Sequence, residues 1–183
     1  MQVLAINCGS ASLKFALWNA GSPGAETSRF EGKVAWTDDG AVLRFVDPAG
    51  TVHERRETVS DHLQAVERVF QLLESLGELP RLQAVGHRVV HGGPKFHQAA
   101  VIDDDVVREL TAVQDLAPLH NPGALGAIRR ARQLLPRPLP MVAVFDTAFH
   151  RQMPPKAERY PLTRALTERL GLRRYGFHGI AHS

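Results

Sequence analysis

Val3–Asn7 and Leu13–Trp18 are short apolar runs separated by Cys8, Gly9, Ser10, Ala11 and Ser12. Runs of that length bounded by turn residues read as strands joined by a tight Gly/Ser turn. The chain therefore has to open on a β-hairpin. Arg29–Trp36, Ala41–Val46 and Thr51–Arg56 read as further strands, divided by "TDDG" and "DPAG", where glycine supplies a positive φ. The start is an antiparallel meander, with "GSPGAETS" expected as a surface loop between its second and third strands.

Beyond the meander the pattern changes period. Ser60 is the expected cap of a helix over 61–76, in which Leu63, Val66, Phe70 and Leu73 recur at helical spacing and Gly77 supplies the stop. Ala84–His91 reads as a strand closed by Gly92, Gly93 and Pro94. Asp103 caps a predicted helix carrying Val106, Val107, Leu110 and Val113, and Asn121 caps another with Pro122 in its first turn. Between them "LAPLHNP" delivers His120 to a helix N-terminus. Met141–Asp146 is a nearly pure apolar run that ends on a carboxylate, the pattern of a buried strand. Leu162–Leu170 reads as a short helix and Tyr175–His178 as a strand or turn. Strands first, then alternating helices and strands, predict an α/β domain with a mixed sheet. The sequence stops at Ser183, directly after "RRYGFHGIAHS", and reads as an interrupted chain.

Composition excludes several classes. The 183 residues are 44% hydrophobic, enough for a core, and carry a net charge of +3 with basic residues scattered rather than run together. No basic patch of the kind nucleic acid requires is expected. Cys8 is the only cysteine, which rules out an internal disulfide and fits a reducing compartment. No apolar run approaches the ~18 residues of a membrane span, and the first residues lack the features of a signal peptide. The expectation is a cytoplasmic protein with no membrane partner.

Polar residues gather where strands end: Asn7, Arg88, His91, Asp146 and His178. In open α/β sheets such side chains converge on one crevice. "NCGSASLK" combines small residues, turn amides, two hydroxyls and Lys14, a set suited to phosphate oxygens. It lacks the spacing of a Walker loop and leads into a strand, so a plain hairpin turn is the competing reading. Asp146 at the end of a buried strand requires a cation, a metal or hydrogen-bond donors. The Arg88 fork suits a carboxylate or phosphate, or a structural pairing with a neighbouring aspartate. His87 and His91 are four apart but on a strand, which argues against zinc. His53, His62 and His97 are expected to face solvent, and His150 remains open.

"VLAINCGSASLKFAL", "VGHRVVHGG", "LAPLHNP", "VAVFDTAFH" with "MP" soon after, and "YPL" leading to "RRYGFHG" occur in this order. Their order and approximate spacing resemble acetate kinase and its short-chain acyl kinase relatives, over the whole chain except roughly residues 19–80. The resemblance implies an α/β, ribonuclease H-like (actin-like) lobe with a mixed five-stranded sheet flanked by helices. It implies phosphoryl transfer between ATP and acetate with Mg²⁺, or Mn²⁺ in its place, in a homodimer. Asn7 would lie beside the metal and phosphates, with Ser10, Ser12 and Lys14 at the phosphate end of the nucleotide. Arg88 would take the acetate carboxylate, and Val90, Leu119 and Phe177 its methyl group. Asp146 would be the acid/base or metal-orienting group, and His178 and His120 would contact the phosphoryl group in flight.

Two departures accompany the resemblance. Ile180 and Ala181 stand where the family usually has threonine and serine, and a second, nucleotide-binding lobe is expected to lie outside this chain. Alone, the chain is expected to be inactive and to self-associate. The rival readings are a propionate or butyrate kinase, a non-catalytic lobe that binds a small anion or a partner protein, and a zinc hydrolase.

Overall fold

The opening hairpin forms as its apolar pattern requires. β1 (Gln2–Cys8) and β2 (Ser12–Asn19) pair antiparallel, and β3 (Thr27–Thr37), β4 (Gly40–Val46) and β5 (Val52–Glu57) continue the meander. β6 (Ala84–Val89) then returns parallel to β1, and β8 (Met141–Phe145) parallel to β6, while the two-residue β7 (Ala100–Val101) closes the far edge. The sheet order is β5-β4-β3-β2-β1-β6-β8-β7. The computed structural model describes residues 1–21, 24–136 and 138–183; Ser22 and Pro23, within the expected "GSPGAETS" loop, lie outside them.

The mixed α/β class is as expected, but among the described residues the sheet has eight strands rather than five. The central strands β3-β2-β1-β6-β8 make the expected five. The meander adds β4, whose burial alternates, and the exposed β5 at one edge. β7 is too short to leave a period in sequence. Tyr175–His178 is irregular rather than extended.

One face of the sheet is covered by α1 (His62–Ser75) and α3 (Asn121–Leu134), which pack on each other, with α2 (Asp104–Ala112) beside α3. Leu4, Ile6, Leu13, Phe15, Leu17, Val85, Val89, Ala143 and Phe145 point into this layer. They meet Val66, Val69, Phe70 and Leu73 of α1 and Ala124, Leu125, Ala127 and Ile128 of α3. Each large side chain buried there contributes about 1.5–3 kcal/mol. Leu63, expected on the buried face, is 44% exposed.

Two caps differ from expectation. Asp61, not Ser60, caps α1: its carboxylate accepts from the Gln64 N–H at 2.8 Å, while the Ser60 N–H donates to Gln64 Oε1 at 3.1 Å. The carboxylate accepts more strongly than a hydroxyl, and Ser60 reciprocates through its backbone. Asn121 is the first residue of α3 rather than its cap, because its buried side chain is engaged by the backbone of His91. The chain ends in the short helices α4 (Pro155–Glu158), α5 (Arg164–Leu170) and α6 (Gly179–His182), of which α6 touches β8 and the turn after it.

Candidate functional site

The sheet register builds the site. Asn7 lies directly opposite Arg88 in the β1–β6 pair, and Arg88 opposite Val144 in the β6–β8 pair. Both polar side chains thus leave the face away from α1 and α3, near the carboxyl ends of the parallel strands. Asp146 follows β8 at the start of a 3₁₀ segment, Asp146–Gln152, and is 1% exposed. Arg88 resolves its burial: Nε donates to Oδ1 and Oδ2 at 3.2 and 3.1 Å, and Nη2 donates to Oδ2 at 2.5 Å. Nη1 donates to Asn7 Oδ1 at 2.9 Å. A guanidinium has five N–H donors. One hydrogen on each terminal nitrogen therefore remains for an anion.

Arg88 borders a cavity of about 250 Å³ that is also lined by Val90, Leu119, His120, Asp146, Phe177 and His178, together with Leu116, Ala117 and Pro118. Every residue expected at the acetate side of the site reaches it. Its apolar wall is uneven: Val90 is buried, whereas Leu119 is 77% and Phe177 44% exposed, so the cavity opens on that side. A second cavity, about 360 Å³, takes in Asn7, Lys14, Arg88 and Ile180 over a floor of Ala5, Ala16, Gly86 and Val144. Arg88 is shared by the two. Ser10 and Ser12 line neither; Ser10 is exposed and Ser12 half-buried. The apolar Ile180 lines this cavity together with Asn7 and Lys14.

The loops that carry the remaining residues are held by a backbone network. Asn121 Nδ2 donates to the His91 carbonyl at 2.9 Å, and the His91 N–H donates to Asn121 Oδ1 at 3.2 Å. The Gly92 N–H donates to Thr147 Oγ1 at 3.1 Å and the Gly93 N–H to His91 Nδ1 at 2.8 Å. Accepting that bond fixes His91 as the neutral Nε2–H tautomer, and burial pushes its pKa below the ordinary value. Its ring packs edge-on against Tyr175 at 4.3 Å and Phe177 at 5.9 Å. His150, left open by the sequence, shares a 3.0 Å hydrogen bond between its Nε2 and the Phe177 carbonyl.

His178 stands at φ 56° and ψ 26°, the one non-glycine with positive φ among the described residues. Such a conformation costs on the order of 1 kcal/mol and persists where neighbours impose it. Gly179 is one of those neighbours. A Cβ there would collide with the Asp146 carbonyl oxygen and the Phe149 side chain, so only glycine lets the loop close over Asp146.

Charge is arranged in a row. Arg88, Asn7, Lys14, Lys33, Arg44 and Glu54 are successive cross-strand partners on the open face. Like charges directly opposite are unfavourable, and among the described residues Lys14 and Lys33 have no carboxylate partner. Arg44 has only a 3.8 Å contact with Glu54. The surplus of positive charge leads into the site.

No group of three metal-ligating His, Cys, Asp or Glu side chains occurs among the described residues, which leaves the zinc reading without a ligand set. The Asn7 amide oxygen and the Asp146 carboxylate are hard oxygen donors, both engaged by the Arg88 guanidinium between them. One or two such groups completed by substrate phosphates and water is the way Mg²⁺ is usually held, so these residues fit Mg²⁺ as part of a shared site.

Three histidines depart from the sequence reading or complete it. His53 is exposed and pairs with Asp47 at 2.9 Å, and His97 is exposed, both as expected. His62 is half-buried, because its Nε2 lies 2.8 Å from the Gly9 carbonyl oxygen and its ring packs 4.8 Å from Trp36. Nothing in the spacing of residues 60–64 signals that contact.

The Acetokinase family model matches residues 2–183. Among curated proteins, the acetate kinases of Helicobacter hepaticus and Clostridium botulinum (strain Okra) are each 40% identical over 187 residues, covering 100% of this chain and 46% of theirs. A solved propionate kinase from Francisella tularensis superposes with a TM-score of 0.87 at 36% identity, and the acetate kinase of Porphyromonas gingivalis with 0.87 at 34%. Both comparisons cover 99% of this chain and 46% of the other. The chain thus spans about half the length of the curated relatives it matches.

Proposed function

Because the chain belongs to the acetokinase family, we propose that it forms the acyl-binding, phosphate-facing lobe of a kinase that makes acetyl phosphate from ATP and acetate. The observation that carries this reading is the convergence of Arg88, Asp146, His178, His120, Val90, Leu119 and Phe177 on one cavity. Arg88 takes the acetate carboxylate through its two free N–H bonds, and Val90, Leu119 and Phe177 take the methyl group. An acetate oxygen attacks the terminal phosphorus of the nucleotide; the new O–P bond forms as the P–O bond to the leaving diphosphate breaks. Acetate is already a carboxylate and the leaving diphosphate needs no proton, so the site needs alignment and charge neutralisation rather than a base.

Asp146 accordingly acts by orienting Arg88 and, with Asn7, one side of the metal site. Bound Mg²⁺ would neutralise charge on the transferring phosphate oxygens. His178 and His120 donate hydrogen bonds to the equatorial oxygens, and the turn holding Ser10, Ser12 and Lys14 takes the adjacent phosphates. Relatives about twice as long support a further, nucleotide-binding lobe in the whole enzyme; with that lobe the reading includes a homodimer and no turnover by the 183 residues alone. The single buried thiol of Cys8 is compatible with a cytoplasmic setting.

Titration of [1-¹³C]acetate tests the reading: wild type should shift the Arg88 Nε–H resonance saturably and Arg88→Ala should abolish binding. Acetate binding that is indifferent to Arg88→Ala would sink it. Propionate is a second reading, favoured by the propionate kinase whose structure this chain matches as well as it matches an acetate kinase. One methylene changes affinity only about 10 to 200-fold, so competition between the two acids decides between them.

A further inference from the structure

The turn between β1 and β2 is held from behind by a side chain outside it. His62 opens α1, and its Nε2 lies 2.8 Å from the carbonyl oxygen of Gly9. A carbonyl only accepts, so Nε2 carries the proton. The ring is confined on two further sides. Trp36 of β3 packs on it at 4.8 Å, and Gly123 in the first turn of α3 comes so near that a methyl group there would lie 3.3 Å from the ring. The same first turn follows His120, which stands at the head of α3.

The consequence lies in the geometry of one peptide. In a trans peptide the C=O and the following N–H share a plane and point in opposite directions. Drawing the Gly9 oxygen toward α1 therefore turns the Ser10 N–H away from it. The Gly9 N–H is already committed to the Ser12 carbonyl at 2.9 Å. The Ser10 and Ala11 N–H groups have no partner among the described residues, and both residues are exposed. Consecutive free amides beside hydroxyls and a lysine form an anion-binding concavity.

We propose that His62 is a positioning residue for phosphate binding. It sets the Gly9–Ser10 peptide so that the turn's amides face the phosphate chain. The inference rests on reading the turn as the phosphate site, and it adds a residue that itself touches no substrate. It also separates the two halves of the site: the His62 bond governs phosphate affinity and leaves the Arg88 cavity alone.

The test uses the ¹⁵N-labelled 183-residue chain with magnesium tripolyphosphate and acetate as separate probes. In wild type, tripolyphosphate should shift the Ser10 amide. His62→Phe keeps a ring between Trp36 and Gly123 but has no donor, and should weaken tripolyphosphate binding at least tenfold while acetate binding stays within twofold. His62→Gln, whose amide nitrogen reaches the same place, should recover most of the loss. His62→Leu makes the same comparison if the phenylalanine variant does not fold. The proposal is overturned if the variants without the donor bind tripolyphosphate within twofold of wild type, or if both probes weaken together. A wild-type Ser10 amide that ignores tripolyphosphate would instead overturn the phosphate reading of the turn, and this inference with it.

Discussion

Acid should unfold this lobe through His87. The side chain is 2% exposed, faces the helix layer from β6, and its Nε2 has no hydrogen-bond partner among the described residues. Burial alone lowers its pKa from 6.5 to about 4. In the unfolded chain the imidazole takes up a proton below its ordinary pKa, whereas in the folded chain it stays neutral down to about 4. Between those limits the unfolded state binds more protons, so stability is fully present above pH 6.5 and is lost as the pH falls toward 4. Linkage over that window gives a loss of about 2 kcal/mol on going from pH 7.5 to 5. Urea unfolding followed by tryptophan fluorescence at both pH values measures it. His91 titrates in the same sense, so the informative quantity is the difference between wild type and His87→Leu. The variant should lose about 2 kcal/mol less than wild type over the same pH step. Equal losses in the two proteins would refute the reasoning, because the proton would then be entering elsewhere.

Three further outcomes follow from single contacts. Gly179→Ala should lower Tm and remove acetate binding in the same titration, since its Cβ would displace the loop from the Asp146 carbonyl; retained binding would mean that the loop closes by another route. Lys33→Glu should raise the thermal midpoint slightly at low salt by placing a carboxylate opposite both Lys14 and Arg44, a gain of about 0.2–1 kcal/mol that salt should erase. The Cys8 thiol, buried and pushed up to about 12, should resist a disulfide reagent at pH 8 until urea exposes it; prompt reaction in the native state would contradict its place in the core.

The meander, the β6 and β8 strands and the three long helices were legible because each carries a period or a cap that survives in sequence. Val66, Phe70 and Leu73 mark the buried stripe of α1, and Asp103 caps α2 as its side-chain chemistry dictates. What was lost is non-local. Asn121 looks like a cap because asparagine caps well; only the folded chain brings the His91 backbone to its amide. β7 is visible only once β8 offers it a partner. His62 reads as a solvent-facing histidine because its acceptor is 53 residues away.

The same distinction explains which part of the site tolerates sequence change. Arg88, Asn7 and Asp146 meet because two parallel registers align them, and a slip of one residue in β6 would send Arg88 into the helix layer and His87 to the open face. Val85, Val89 and His87 facing the helices make that slip costly, so the core that demands a neutral His87 also aims Arg88. His178 has no such anchor in the sheet. Its left-handed backbone depends on Gly179 against Asp146 and on the Phe177 carbonyl at His150. Ile180 and Ala181 therefore lie in the part of the site with least support from the core, where small changes of loop geometry move His178 before they move the Arg88 cavity.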